Sequence, residues 1–134
     1  MNGASGVKKI LVIDDDQTFC ELVKASAEKS KYEVASASDG VEGLLHVGKQ
    51  TPDIILLDIK MPRMNGMEFL EKIRSSEKSK WIPVVITSND ASMETITHGA
   101  ELGVRGYFVK SNETMHSIFQ IITNILAEPS VAHV

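Results

Sequence analysis

Cysteine is nearly absent from this sequence. Cys20 is the only one in 134 residues, which excludes an internal disulfide and a cysteine-based zinc site and fits a reducing compartment. Cys20 itself is expected to be a small buried hydrophobe on the first helix. Long apolar runs are missing too: Lys8 and Lys9 lead into Ile10-Leu11-Val12-Ile13, but acids follow at once, far short of a signal-peptide core or a membrane span. A soluble, cytoplasmic protein without a membrane partner is expected. The net charge is −4 and the basic residues are scattered rather than striped along one helix, so the electrostatic footprint of direct nucleic-acid binding is lacking. The four histidines, His46, His98, His116 and His133, have no mutual spacing suited to a metal and are expected at the surface. There is no internal repeat and no low-complexity tract, and the length suits one domain able to bury a core unaided.

What is present alternates. Residues 1–7 form a Gly/Ser-containing lead, and structure is expected from Lys8. A strand ends in Asp14, Asp15 and Asp16, and Phe19, Leu22, Val23 and Ser26 then recur at helical spacing. Tyr32 to Ala37 reads as a second strand; Asp39-Gly40 marks a turn, and Val41, Leu44 and Leu45 begin a helix that ends near Gly48, before Pro52. The third strand runs from Asp53 to Asp58 around the apolar Ile54-Ile55-Leu56-Leu57. Pro62, Asn65 and Gly66 make the following loop, Met67, Leu70 and Ile73 the apolar face of a third helix, and lysine-rich residues 72–80 its solvated end. Pro83 opens a fourth strand ending at Thr87, and residues 91–102 form a helix weakened by Gly99. Arg105 to Val109 is the fifth strand. Met115, Ile118, Phe119, Ile122, Ile125 and Leu126 give the longest amphipathic helix, which Pro129 stops.

Five strand–helix alternations imply a parallel sheet covered on both faces, an α/β doubly wound fold. Ligands of such sheets sit beyond the carboxyl ends of the strands. Those ends carry Asp14 and Asp15, Asp58, Thr87 and Lys110. With the flavodoxin-like strand order 2-1-3-4-5, the four strands concerned are consecutive neighbours and their ends converge. Three carboxylates together repel unless a cation compensates, and hard oxygen ligands that leave room for water and phosphate suit Mg²⁺. Lys110 offers a movable positive charge and Thr87 a hydroxyl, both suited to hold phosphoryl oxygens while a carboxylate attacks phosphorus. Singly, each of these residues has an ordinary structural use, as a cap, a strand residue or a solvated cation. Asp16 could equally cap the first helix.

The motifs Leu11-Val12-Ile13-Asp14-Asp15, Asp58 with Met61-Pro62-Arg63-Met64-Asn65-Gly66, Thr87-Ser88 and Gly106-Tyr107-Phe108-Val109-Lys110 occur in that order, and with them the chain resembles the receiver domain of two-component response regulators, including single-domain chemotaxis regulators. The resemblance covers residues 8–127. It implies that Asp58 accepts a phosphoryl group from a histidine kinase or a histidine phosphotransfer protein. It further implies that Asp15 binds Mg²⁺ directly, Asp14 through water, and the backbone carbonyl of Lys60 and Asp58 itself complete the protein ligands. Thr87 and Lys110 then bind phosphoryl oxygens, and Tyr107 swings inward as Thr87 moves. A monomer or a weak phosphorylation-dependent dimer, acting on a downstream protein, is the implied form, with self-phosphorylation and autodephosphorylation rather than enzyme turnover as its chemistry.

One position departs from the family. Proline, commonly in a cis bond, usually follows the lysine, whereas Ser111 stands here. A non-prolyl cis bond costs roughly 3 kcal/mol, so a less constrained loop is expected. Two other readings compete. Asp14-Asp15-Asp16-Gln17-Thr18 also fits the first motif of haloacid dehalogenase-like phosphatases, with Asp14 as nucleophile and Asp16 as acid, but that family needs an acidic motif after the lysine, and no Asp occurs beyond Asp90. A pseudo-receiver normally lacks one of the five site residues, and all five are present. A receiver that only relays or stores phosphate, without its own output, is the remaining alternative. Residues 128–134 read as a tail or the start of a linker, leaving both a stand-alone receiver and one cut from a longer protein open.

Overall fold

The computed structural model describes residues 6–29, 31–61, 63–89, 92–111 and 113–128. The expectations placed on Pro62, Asp90 and Pro129, and on most of the lead and tail, lie outside those residues. Five strands, β1 (Lys8–Ile13), β2 (Tyr32–Ala37), β3 (Ile54–Leu57), β4 (Val84–Ser88) and β5 (Gly106–Val109), alternate with five helices, α1 (Gln17–Ala27), α2 (Gly40–Lys49), α3 (Gly66–Arg74), α4 (Met93–Glu101) and α5 (Met115–Ala127). The sheet is parallel throughout, in the order β2-β1-β3-β4-β5.

Why the strands read as unbroken apolar runs follows from the pleat. Successive side chains leave a strand on opposite faces. Ile10, Val12, Ile54, Leu56, Val85 and Phe108 join Phe19, Cys20 and Val23 of α1 and Ile118, Ile122 and Ile125 of α5 in one cluster. Leu11, Ile13, Ile55, Leu57 and Val84 join Phe69, Leu70 and Ile73 of α3 in the other, with Leu44 and Val47 of α2 packed against it. Each face thus has its own core.

The helices begin on side-chain caps that satisfy otherwise orphaned N–H groups. Asp16, Asp39, Asn65, Ser92 and Thr114 each accept from the backbone N–H three residues on, and Asn65 and Thr114 form capping boxes with Glu68 and Ser117. Asp16 is therefore the α1 cap. Cys20 is 3% exposed, as expected, and burial pushes its thiol up to about 11.

Several expectations need correction. Leu22 and Leu45 stay out of the core at 50% and 61% exposure, because α1 turns Phe19, Cys20, Val23 and Ala27 inward and α2 turns Gly40 and Gly43 inward. Residues 72–80 are more than a solvated helix end. α3 stops at Arg74, whose guanidinium donates to the carbonyls of Leu102 (2.7 Å), Lys80 (3.2 Å), Ile82 (2.8 Å) and Gly103 (3.4 Å), while buried Ser79 donates to the Ile73 carbonyl at 2.8 Å. Gly99 is also a close-approach site: a Cβ there would lie 2.9 Å from Cδ1 of Ile86, which would have to shift to admit it. Asp53 falls outside β3; its carboxylate instead accepts from the Lys9 N–H at 2.8 Å.

Candidate functional site at the carboxyl ends of the strands

Register brings the predicted residues together. Ile13 pairs with Leu57 and Leu57 with Ile86, so Asp14, Asp58 and Thr87 stand side by side across β1, β3 and β4, and Ser88 pairs with Val109 so that Lys110 follows on β5. Adjacent strands are about 4.8 Å apart. Each of the four lies two residues past a member of the α1/α5-side core, Val12, Leu56, Val85 and Phe108 respectively, and therefore continues the alternation toward that face. One period of two, repeated on four strands, builds the pocket.

The carboxylates of Asp14, Asp15 and Asp58 each present an oxygen within 4.8 Å of the others. Asp14 and Asp58 are buried, 1% and 6% exposed, whereas Asp15 faces solvent. Asp14 has both oxygens engaged: Oδ1 accepts from the Asp16 N–H at 2.9 Å and Oδ2 from Lys110 Nζ at 2.8 Å. Burial nevertheless raises its pKa, outweighing the Lys110 bond. Asp58 is pushed from 3.8 up to about 6, first by burial and next by the charge of Asp14, with Lys110 only partly offsetting them. For Lys110 burial works against the ammonium, but its bond to Asp14 and the nearby carboxylates prevail and raise its pKa. Three carboxylates against one ammonium leave a net charge of −2 when all are ionised. Such a set has room for a divalent cation and a reason to take one.

Thr87 is fully buried, and among the described residues its Oγ1 has no hydrogen-bond partner. A buried hydroxyl without a partner costs free energy, which a hydrogen-bond acceptor entering the pocket would recover. The Tyr107 ring is half-buried with its hydroxyl oxygen shielded from solvent.

The loop after β3 is fixed by close contacts. A Cβ on Gly66 would lie 2.3 Å from the Asp58 carbonyl oxygen and 2.8 Å from Ile59 Cα, and the Gly66 N–H donates to the Ile59 carbonyl at 2.8 Å. Only glycine lets α3 start this close to the nucleophile candidate. Arg63 adopts φ 62°, an uncommon left-handed conformation for a non-glycine residue, and its guanidinium pairs with the buried Asp39, Nε to Oδ2 at 2.6 Å. Hydrogen bonds and the Arg63 charge hold the Asp39 carboxyl below its usual range, the Glu42 N–H being the largest cause.

Ser111 gives the loop after β5 a tie that proline could not make. Its N–H, which proline would lack, donates to Oδ1 of Asn89 at 3.0 Å and ties the β5–α5 loop to the β4–α4 loop, with no cis peptide among the described residues. Sequence reading missed three partnerships: Asp39 with Arg63, Asn89 with Ser111, and the Phe19 ring under Lys110. No local spacing signals them.

The response regulator receiver domain family matches residues 10–123, and the chain belongs to that family. It is 35% identical over 103 residues to the alkaline phosphatase synthesis transcriptional regulatory protein PhoP of Bacillus subtilis, and 32% identical over 115 residues to the regulator of RpoS of Escherichia coli. Those matches cover 77% and 86% of this chain but 42% and 34% of the relatives, so the chain spans less than half of either. Among solved structures, the chemotaxis protein CheY4 of Vibrio cholerae aligns with a TM-score of 0.82 at 28% identity, over 89% of this chain and 98% of the other. A CheY-like receiver domain protein from Methanospirillum hungatei gives 0.83 at 28%, over 90% and 94%. The protein is thus a response-regulator receiver domain of two-component signalling, with the flavodoxin-like fold the sequence implied. No helix among the described residues is long and apolar enough to cross a membrane.

Proposed function

We propose that Asp58 is the phosphoacceptor of this receiver. The observation that carries the reading is its carboxylate, buried at the end of β3 beside Asp14 with a pKa pushed up to about 6, next to a buried Thr87 hydroxyl without a partner. An oxygen of Asp58 attacks the phosphorus of a phosphohistidine, or of a small donor such as acetyl phosphate. The new P–O bond forms as the P–N or P–O bond to the leaving group breaks, and the leaving group departs with the electron pair. Thr87 donates its hydroxyl hydrogen to one phosphoryl oxygen, and Lys110 turns from Asp14 to another.

The acidic cluster would hold Mg²⁺ through Asp15 and Asp58 directly, Asp14 through water, and the Lys60 carbonyl. The three carboxylates each bring an oxygen within 4.8 Å of the others, and such a hard oxygen set suits Mg²⁺. When bound, the ion supplies charge neutralisation at the transferring phosphoryl oxygens. A sensor kinase or histidine phosphotransfer protein is the donor, in the cytoplasm, and the protein acts as a monomer or a weak phosphorylation-dependent dimer on a downstream protein. Thr87 on β4 and Tyr107 on β5 lead from the pocket to the face formed by α4, β5 and α5, which is the output surface.

Against the haloacid dehalogenase-like alternative, Asp16 has an ordinary structural use, its Oδ1 accepting from the Phe19 N–H as the α1 cap. Intact mass after incubation with Mg²⁺ and acetyl phosphate is expected to rise by one phosphate in the wild type and to stay unchanged in Asp58→Asn. Full labelling of that variant would move the nucleophile to Asp14. Beryllofluoride, a phosphoryl mimic, should alter amide exchange across residues 88–112; changes confined to the surroundings of Asp58 would instead mark a phosphate relay or sink.

A further inference from the structure

Phe19 looks at first like an ordinary core residue. It is 7% exposed, belongs to the α1/α5-side cluster, and would be replaced by leucine with little loss of volume on that account. Yet its ring lies beneath the Lys110 ammonium, with Nζ 4.8 Å from the ring centroid. A cation over an aromatic face at this range is attracted by the ring quadrupole, and more so when both partners are withdrawn from water. Lys110 satisfies that condition, its side chain being only 13% exposed.

The contact closes a circuit. Asp14 accepts from the Asp16 N–H, Asp16 caps α1 by accepting from the Phe19 N–H at 3.2 Å, the Phe19 ring carries the Lys110 ammonium, and Lys110 donates back to Asp14. The first turn of α1 is thereby locked to the end of β5, 96 residues away from Asp14 in sequence. We infer that Phe19 is a positioning residue for phosphoryl transfer: its ring keeps the Lys110 ammonium in the pocket while that group exchanges Asp14 for a phosphoryl oxygen on Asp58. The inference rests on the reading of Asp58 as phosphoacceptor.

The physical need is plain. Any cation that engages Asp14 competes with Lys110 for Oδ2, and a lysine deprived of its carboxylate gains both hydration and rotamer freedom by swinging into solvent. A hydrogen-bond acceptor in place of Phe19 would hold the ammonium at one point. A ring face attracts it without a fixed direction, so the head can move across the face and remain held. The gain is pre-organisation in the state that has lost the Asp14 contact and has not yet acquired the phosphoryl group.

The test replaces Phe19 with mono-, di-, tri- and pentafluoro-phenylalanine in the full chain, a series that drains the ring quadrupole while nearly keeping its shape, alongside Phe19→Leu and Phe19→Tyr. Beryllofluoride affinity and the rate of Asp58 labelling by acetyl phosphate are expected to fall step by step with fluorination, to about fivefold below wild type for the last member and for Phe19→Leu, while Phe19→Tyr keeps wild-type values. Thermal melts should stay level through the fluorinated set. In the metal-free protein, NMR should find the Lys110 methylene protons nearest the ammonium shifted upfield by the ring, and that shift should vanish in Phe19→Leu. A flat fluorine series in a protein that labels normally would reduce Phe19 to a core residue and leave Asp58 untouched. A wild type that takes neither phosphate nor beryllofluoride would defeat the reading of Asp58 and the role of Phe19 with it.

Discussion

The two ends of the sheet treat buried charge in opposite ways. At the amino end of β4, Arg74 is desolvated, which lowers its pKa, but its guanidinium meets four backbone carbonyls drawn from the α3–β4 connection and the α4–β5 turn. At the carboxyl end, Asp14, Asp15 and Asp58 face a single ammonium, and Thr87 has a buried hydroxyl without a partner among the described residues. One end is a solved packing problem. The other is left short of positive charge, which a divalent cation would relieve, while the oxygens of a phosphoryl group would give the Thr87 hydroxyl its acceptor.

Breaking the satisfied end should cost most. Arg74→Met removes the donors to all four carbonyls, and urea denaturation is expected to show a loss of about 3–4 kcal/mol with Asp58 labelling at saturating acetyl phosphate unchanged, provided the assay is run well below the melting range. A variant that lost labelling but kept its stability would reverse the assignment of the two ends.

At the strained end the sign inverts. Because the folded-state pKa of Asp58 is raised from 3.8 to about 6, the folded protein holds a proton across that window that the unfolded chain has released; stability therefore falls as pH rises from about 4 to 6 and stays low above it. Asp58→Asn carries no charge at any pH. It should exceed the metal-free wild type by up to about 3 kcal/mol at pH 7, the difference shrinking as pH falls from about 6 and gone below about 4. Equal stability at both pH values would mean that the carboxylates are already compensated.

Gly66→Ala tests the junction between α3 and the rim. Its Cβ would press into the Asp58 carbonyl at 2.3 Å, so something in the backbone must shift; about 2 kcal/mol of stability and a clear drop in labelling are expected together. Asn89→Ala is the mildest change, removing the acceptor of the Ser111 N–H, with an expected cost near 1 kcal/mol and faster amide exchange at Ser111.

How much of this was legible in the sequence depended on whether the signal was periodic or merely spatial. Asp14, Asp58, Thr87 and Lys110 could be read because each ends an apolar strand and parallel register carries strand ends to one rim. Helix phase was harder. Leu22 and Leu45 share helical spacing with core residues, yet the buried face of α1 is completed by Ala27 beside Phe19, Cys20 and Val23, and that of α2 by Gly40 and Gly43, small residues that a tally of large apolar side chains does not flag. Gly99 was read as a helix weakness because propensity is local, whereas its close approach to the Ile86 side chain is tertiary. Arg63 with Asp39, and Arg74 with Leu102, join residues 24 and 28 apart with no recurring interval between them. Polar partnerships of that kind follow from the fold and do not announce it.

The claim that the carboxyl rim is short of positive charge comes down to one group. An NMR titration that follows the Asp58 carboxyl carbon in the metal-free protein should place its pKa at about 6, and the resonance of Asp14 should also report a value above the ordinary 3.8. An Asp58 that titrates at or below 3.8 would show the carboxylate to be stabilised as an anion in the absence of any cation, and would contradict the account.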